Sequence, residues 1–144
     1  MNKQLTEALF KDFPKLFRDK DKSPRETLIC FGFECGDGWE PLIRECAAKL
    51  EAINNTIENP ENYIAAVQVK EKFGGLRFYL NFHTTETDEA IRVAEEKADV
   101  TCETCGQPGT AEGSKGWICT LCAPCREKYN KAREERLTKI GLEK

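Results

Sequence analysis

The strongest constraint on the fold is the spacing of four cysteines in the last third of the chain. Cys102 and Cys105 form a C-x2-C pair, and sixteen residues separate it from a second C-x2-C pair, Cys122 and Cys125. Each such turn brings two thiolates to one ion, and two pairs at this distance are typical of tetrahedral zinc sites. The spacing therefore predicts that one Zn²⁺ ion organises the end of the chain.

An alternative ligand set exists, because Cys119 and Cys122 also form a C-x2-C pair, thirteen residues after the first pair. We prefer the later pair, since Pro124 and the helical pattern after it indicate that Cys125 lies in the first turn of a helix. The positive end of a helix favours a thiolate. Cys119 is then expected to be a strand thiol near the site. A knuckle, a hairpin and a helix in this order predict a treble-clef-like zinc finger over residues 99–144.

Four thiolates fill the coordination shell, so no position remains for an activated water molecule and the metal is expected to be structural. Without it, residues 99–144 should be largely unfolded. The chain has eight cysteines, a polar start that is no secretory signal, and no apolar run of membrane-spanning length. These features point to a reducing compartment. We therefore expect a cytoplasmic protein without a membrane partner.

Composition narrows the class of protein further. The chain has 144 residues, of which 33% are charged and 40% hydrophobic, as is usual for a soluble globular protein. Its net charge of −3 argues against a protein that binds mainly DNA phosphates, although a local basic surface can override that balance.

The segment 68–83 reads QVKEKFGGLRFYLNFH and predicts a β-hairpin. A Gly-Gly pair between runs rich in Val, Phe and Tyr favours a two-residue turn at Gly74 and Gly75, in which Lys72 would oppose Arg77. Side chains alternate along a strand, so the hairpin has an apolar face and a polar face. The polar face is expected to hold Gln68, Lys70, Lys72, Arg77, Tyr79, Asn81 and His83, and the apolar face Val67, Val69, Glu71, Phe73, Leu76, Phe78, Leu80 and Phe82.

The rest of the chain supports an α+β class. Residues 1–98 are predicted to form a domain built on the central hairpin 63–83, with a small antiparallel sheet and helices packed on one of its faces. We expect this domain and the finger, residues 99–144, to pack against each other as one compact unit.

Local signals predict the other elements of the first domain. Apolar residues at helical spacing indicate a helix near the start of the chain that Pro14 interrupts, and a second helix that begins at Pro41. The β-rich residues 27–35 predict a strand. Thr85 and Asp88 are spaced as a capping box that would open a third helix.

The chain contains the motifs GFECGDGW, VKEKFGGLRFY and CETCGQPG, the last followed by GW and TLCAPC. Together, over about Phe31 to Cys125, these motifs resemble a family of small phage and prophage proteins. In the family pattern the distal cysteines correspond to Cys122 and Cys125. The resemblance implies a phage-derived accessory protein in a bacterial host cell and supplies no mechanism. Such proteins commonly act against host processes or defence systems, which favours a binder or an inhibitor.

The polar hairpin face is either an ordinary solvated sheet face or a binding site. As a site, its cations supply charge and its tyrosine a stacking surface, which suits an acidic protein surface or a nucleic-acid strand. We predict a non-enzymatic protein that binds and modulates a host macromolecule, in first place a host protein, with nucleic acid as the alternative. The predicted contact surface comprises Asp37, Trp39, Lys70, Lys72, Arg77 and Tyr79.

Three residues can also be interpreted in another way. Trp39 also suits a core or interface anchor, and Asp37 also suits a cap for the helix that begins near Pro41. Glu71 points to the apolar face in the predicted register, where an unpaired carboxylate would be costly. A nearby Arg or Lys, backbone amides, a register that differs by one residue, or a functional role of the buried carboxylate would each explain Glu71.

An enzyme is the second alternative. Asp37, followed by Gln68 and Lys70, loosely resembles the arrangement of metal-dependent nucleases, in which an acid holds Mg²⁺ and a lysine steadies the developing charge. A whole helix separates the two parts of this pattern, and a second carboxylate is missing unless Glu71 or Glu34 serves. We therefore lean towards a protein without catalytic residues.

Overall fold

The computed structural model describes residues 1–114 and 116–141. Four α-helices and five β-strands lie in this described part, and the combination confirms the α+β class. None of the described helices is long and apolar enough to cross a membrane. In chain order the elements are α1 (Lys3–Asp12), β1 (Phe33–Glu34), α2 (Glu40–Asn54), β2 (Ala66–Lys72), β3 (Gly75–Leu80), α3 (Thr85–Ala98), β4 (Thr110–Glu112), β5 (Cys119–Leu121) and α4 (Ala123–Lys139).

The main sheet has three strands in the order β1-β2-β3. Strand β3 is antiparallel to β2, as the hairpin requires, whereas β1 is parallel to β2. The sheet is therefore mixed rather than wholly antiparallel. The reason is that α2 lies between β1 and β2 in the chain, and a helical crossover returns the chain in the same direction. Strands β4 and β5 form a separate antiparallel pair in the finger.

Most of residues 27–35 do not form the predicted strand. Only Phe33 and Glu34 pair with β2, while Ile29–Phe31 form a 3-10 turn. Gly32 follows this turn with φ of +74°, a conformation that L side chains rarely adopt. The β-rich composition reflects buried side chains such as Ile29 rather than a long strand.

The turn of the hairpin lies one residue earlier than predicted. Phe73 and Gly74 occupy the two loop positions, with φ of 52° and 79°, and Lys72 pairs with Gly75. Positive φ at both positions is what a type I′ turn requires. Val69 consequently opposes Phe78 instead of the predicted Leu80.

The new pairing does not change the predicted faces of the strands. Residues 68–72 of β2 each oppose a partner two positions away from the predicted one, and side chains alternate with a period of two. The register shifts once, between Ala66 and Gln68. Lys70 and Arg77 remain on the polar face, where they oppose each other directly. The exceptions lie outside the strands and belong to neither face: Phe73 is in the loop, and Asn81, Phe82 and His83 follow the end of β3.

One hydrophobic core joins the apolar face of the sheet to α1, α2 and α3. Leu9, Leu50 and Val69 have no exposed surface, and they come from α1, α2 and β2 respectively. The core cluster of the described residues extends no further along the chain than Ala98.

Two helix boundaries agree closely with the sequence. Helix α1 ends at Asp12, just before Pro14. Helix α3 begins with a capping box formed by Thr84 and Thr87, in which the Thr87 hydroxyl accepts a hydrogen bond from the Thr84 backbone N–H at 2.8 Å. The box therefore lies one residue earlier than the predicted one.

Candidate metal centre and contact surface

The structure brings four thiols into one group. The sulfur atoms of Cys102, Cys105, Cys122 and Cys125 all lie within 4.8 Å of one another, and those of Cys105 and Cys122 are 3.6 Å apart. A tetrahedral Zn²⁺ with Zn–S bonds of about 2.3 Å needs sulfur atoms about 3.8 Å apart, so the donor set fits the ion. Cys119 is not part of the group.

Each pair of cysteines comes from the element that the spacing suggested. Cys122 is the N-cap of α4, and Cys125 lies in the first turn of this helix. The first pair lies in a tight turn after α3, where Gly106 has φ of +79° and its N–H donates to the Cys102 carbonyl at 2.9 Å. A knuckle, the β4–β5 hairpin and α4 thus follow one another in treble-clef-like order.

The electrostatics of the thiol group also favour a cation. Burial raises the pKa of the Cys102 thiol, but backbone N–H groups of Cys122, Cys105 and Thr104 outweigh it and lower this pKa to about 6. The hydrogen bond with the Cys122 thiol raises the pKa of Cys125 to about 12. Adjacent thiols therefore cannot all ionise by themselves, whereas a divalent cation would remove their mutual repulsion.

The Gly-Asp-Gly-Trp turn packs against the backbone of the first cysteine pair. The Gly38 N–H donates to the Glu103 carbonyl at 2.7 Å. A Cβ atom on Gly38 would overlap the Cys102 carbonyl, and one on Gly36 would overlap the Glu103 carbonyl. Glycine at both positions therefore permits the close approach of the two backbones.

Trp39 and Asp37 have structural roles in the same turn. The Trp39 side chain has no exposed surface, and its Nε1 donates to the Thr101 carbonyl at 2.9 Å. The prediction that Trp39 belongs to a contact surface is therefore wrong. Asp37 is exposed but does not cap α2. Its carboxylate accepts hydrogen bonds from the Asn2 backbone N–H at 2.7 Å and from Asn2 Nδ2 at 3.0 Å, and these bonds lower its pKa.

The hairpin tip forms a second contact with the finger. The Thr120 hydroxyl donates to the Gly74 carbonyl at 2.6 Å, and a Cβ atom on Gly74 would lie 3.0 Å from Ile118 Cγ2. The Gly74 N–H in turn donates to Glu71 Oε1 at 2.7 Å. Glu71 therefore has a partner, which is the amide of the turn, and its position needs no catalytic explanation.

The polar hairpin face carries three cations, one of which has a nearby counter-charge. Burial raises the pKa of Glu95 on α3, and the charge of Arg77 opposes that rise. We call Lys70, Lys72 and Arg77 the basic hairpin face. In the described part of the chain none of the three forms an ion pair within 4.0 Å. Glu34, which neighbours Lys70 on β1, accepts a hydrogen bond from Gln68 instead. Some cations elsewhere are paired, as Arg44 is with Asp12 and Glu40, Arg92 with Glu89, and Lys97 with Glu45.

Two exposed aromatic side chains that lie beside cations were missed by the sequence analysis. Phe73 is 58% exposed in the turn, with Lys72 Nζ 5.6 Å from its ring centroid. Trp117 is 61% exposed in the β4–β5 loop, with the Arg133 guanidinium 5.5 Å from its ring centroid. Tyr79, which was predicted, is 40% exposed. The assumed Gly-Gly turn concealed Phe73, because it assigned this residue to a buried strand face.

The nuclease alternative gains no support from the geometry. The Asp37 carboxylate is held by Asn2. Within residues 1–114 and 116–141, the four cysteines form the one group of three or more His, Cys, Asp or Glu side chains that could hold a metal ion. Among these described residues, no three carboxylates therefore come close enough together to hold Mg²⁺, which prefers oxygen ligands.

Comparisons of the chain with models of protein families, with curated proteins and with solved structures find no match.

Proposed function

We propose that the chain is a non-enzymatic zinc protein whose metal holds the finger against the mixed sheet, and whose basic hairpin face binds a host protein. The observation that carries the proposal is the group of four thiols within 4.8 Å of one another. A Zn²⁺ ion with four thiolate ligands has no free coordination position, so it stabilises the fold and does not activate water. Mg²⁺, Ca²⁺ and Mn²⁺ prefer oxygen ligands, so they suit a set of four thiolates less well.

The binding role is supported by charge. Lys70 and Arg77 directly oppose each other across the strands, an arrangement that destabilises a sheet unless an anion offsets it. Glu95 of α3 supplies part of that negative charge near Arg77, and carboxylates on a partner protein would supply the rest at Lys70 and Lys72. The proposal that this partner is a host protein, met in the cytoplasm of a bacterial cell by a phage-type accessory protein, rests on the sequence motifs.

The first test measures the metal content of the purified chain and then captures its partner. We expect about one zinc ion per chain by mass spectrometry of the purified protein. The immobilised zinc-loaded chain should then retain a stoichiometric protein from bacterial lysate that survives nuclease treatment. A chain carrying Lys70→Gln and Lys72→Gln should lose most of this protein, while the control Lys11→Gln, at an exposed position of α1, should keep it.

Two results would contradict the proposal. If the chain purifies without bound metal and is nevertheless folded, the zinc part of the proposal is wrong. A capture that disappears with the nucleic acid would replace the protein partner by a nucleic-acid partner. The latter candidate has one observation in its favour, which is the pair of exposed aromatic rings beside cations.

A further inference from the structure

Two hairpins of the molecule end at the same place on its surface. The β2–β3 turn exposes Phe73, and the β4–β5 loop exposes Trp117. Phe73 directly precedes Gly74, and Trp117 directly precedes Ile118. Gly74 packs on Ile118 in the second contact described above. Consecutive Cα atoms are about 3.8 Å apart, so the Cα atoms of the two aromatic residues are separated by no more than roughly 15 Å.

The conformation of Phe73 is unusual for a side chain of its size. Its φ is 52°, in the left-handed region. Bulky residues are rare there, and Asn or Gly suits this position of a type I′ turn better. Exposure of the ring brings no burial energy either. Neither the turn nor the core therefore accounts for a phenylalanine here.

Both rings have a cation next to them. Lys72 lies beside Phe73, and Arg133 of α4 lies beside Trp117. We call these four residues the junction patch. An aromatic ring in contact with a cation combines apolar area with positive charge, and aromatic and Arg side chains carry most of the energy in protein interfaces.

We propose that the junction patch is the anchor site for an acidic segment of the partner protein. This inference rests on the proposed function and names the chemistry of the partner. An extended segment of about five residues spans roughly 15 Å, so it can reach from one ring to the other. Its carboxylates face Lys72 and Arg133, and its apolar side chains contact Phe73 and Trp117. Lys70 continues the positive charge along β2.

A protein segment suits the patch better than single-stranded nucleic acid. A base could still stack on the face of each ring that Lys72 or Arg133 does not approach, so the rings by themselves do not discriminate. A strand of phosphates, however, gains its affinity from many cations, and the whole chain has a net charge of −3. A short acidic segment needs only the few cations that the patch contains.

The test uses a display library of random dodecapeptides selected on the intact zinc-loaded chain. We expect the selected peptides to be enriched in Asp and Glu relative to the starting library. Their affinity should fall at least about tenfold on Phe73→Asn and on Trp117→Ala. The control Phe31→Ala removes a ring that is 60% exposed outside the patch, and it should leave the affinity unchanged.

Phe73→Asn separates recognition from folding. It creates an Asn-Gly turn, which favours type I′, so the melting temperature should stay the same or rise while binding is lost. If the role of Phe73 were purely structural, Phe73→Asn would lower both the melting temperature and the affinity for the peptides. The inference would be overturned if the selected peptides were not enriched in Asp and Glu. It would also be overturned if the wild type and the two variants bound the peptides with equal affinity.

A fluorescent oligothymidylate is measured in parallel. If it binds more tightly than the selected peptides, and Trp117→Ala abolishes this binding, the patch is a nucleic-acid site and the inference is wrong. The lysate capture distinguishes this failure from failure of the proposed function. A captured protein that still binds Phe73→Asn and Trp117→Ala would leave the proposed function standing without the junction patch.

Discussion

The two parts of the molecule are stabilised by different means. Residues 1–98 contain the whole described hydrophobic core, with large side chains such as Phe17 and Leu50 almost completely buried. In the finger, Cys102, Thr120 and Leu121 are buried, and no described residue of α4 is. The first part is therefore held together mainly by apolar burial, whereas the finger has little of it and is expected to depend on a metal ion at the four thiols and on two contacts with the first part.

Metal removal should produce the largest difference between the two parts. Chelation or Cys125→Ser removes a ligand set whose binding energy is on the order of 10 kcal/mol in zinc fingers. We expect loss of zinc and of the α4 contribution to helical circular dichroism, while the amides of β2 remain protected from hydrogen exchange. Cys119→Ser is the control and should retain zinc. Loss of zinc in this control instead would show that the alternative cysteine pair is the ligand.

The two tryptophans allow a direct comparison of the parts. Trp39→Ala should destabilise the chain by about 3–5 kcal/mol in urea unfolding, because it opens a cavity and leaves the Thr101 carbonyl without its donor. Trp117→Ala should change stability by less than about 0.5 kcal/mol, since the ring is mostly exposed. Equal losses in the two variants would contradict the burial assigned to these rings.

The close contact at Gly38 should be sensitive to one added methyl group. Gly38→Ala would overlap the Cys102 carbonyl, and we expect a cost of roughly 1–3 kcal/mol with weaker zinc retention against a chelator. Gly116→Ala serves as the control. It meets no atom within 4 Å, so only its φ of +81° opposes the change, at about 1 kcal/mol. Zinc retention should be normal in this control.

The smallest effect is expected on the basic hairpin face. Lys70→Gln removes the repulsion with Arg77, so stability should be unchanged or higher by up to about 0.5 kcal/mol. Partner binding should nevertheless weaken. A stability loss of more than about 1 kcal/mol in thermal unfolding would mean that Lys70 has a structural partner.

The features that depend on short-range spacing could be predicted from the sequence alone. The four cysteines come together because each pair lies in one turn, and the face of Lys70 and Arg77 survived a wrong register because alternation has a period of two. The positions of helices α1, α2 and α3 followed from Pro14, Pro41 and a threonine cap in the same way.

Long-range packing could not be predicted from these patterns. Trp39 is buried through a bond to Thr101, a partner 62 residues later, and no local signal announces that contact. Residues 27–35 have β-rich composition, yet tertiary packing overrides that propensity. Phe73 was misassigned because Gly-Gly suits a type I′ turn better than Phe-Gly, so propensity favoured the wrong pair of loop residues.

The opposite environments of Trp39 and Trp117 give the protein two optical probes. These are the two tryptophans of the chain, one with no exposed surface and the other 61% exposed. A soluble quencher such as acrylamide should reach Trp117 and spare Trp39. The quenchable fraction of the emission would then report ligand arrival at the junction patch, and the unquenched, blue-shifted fraction would report whether the finger is docked on the sheet.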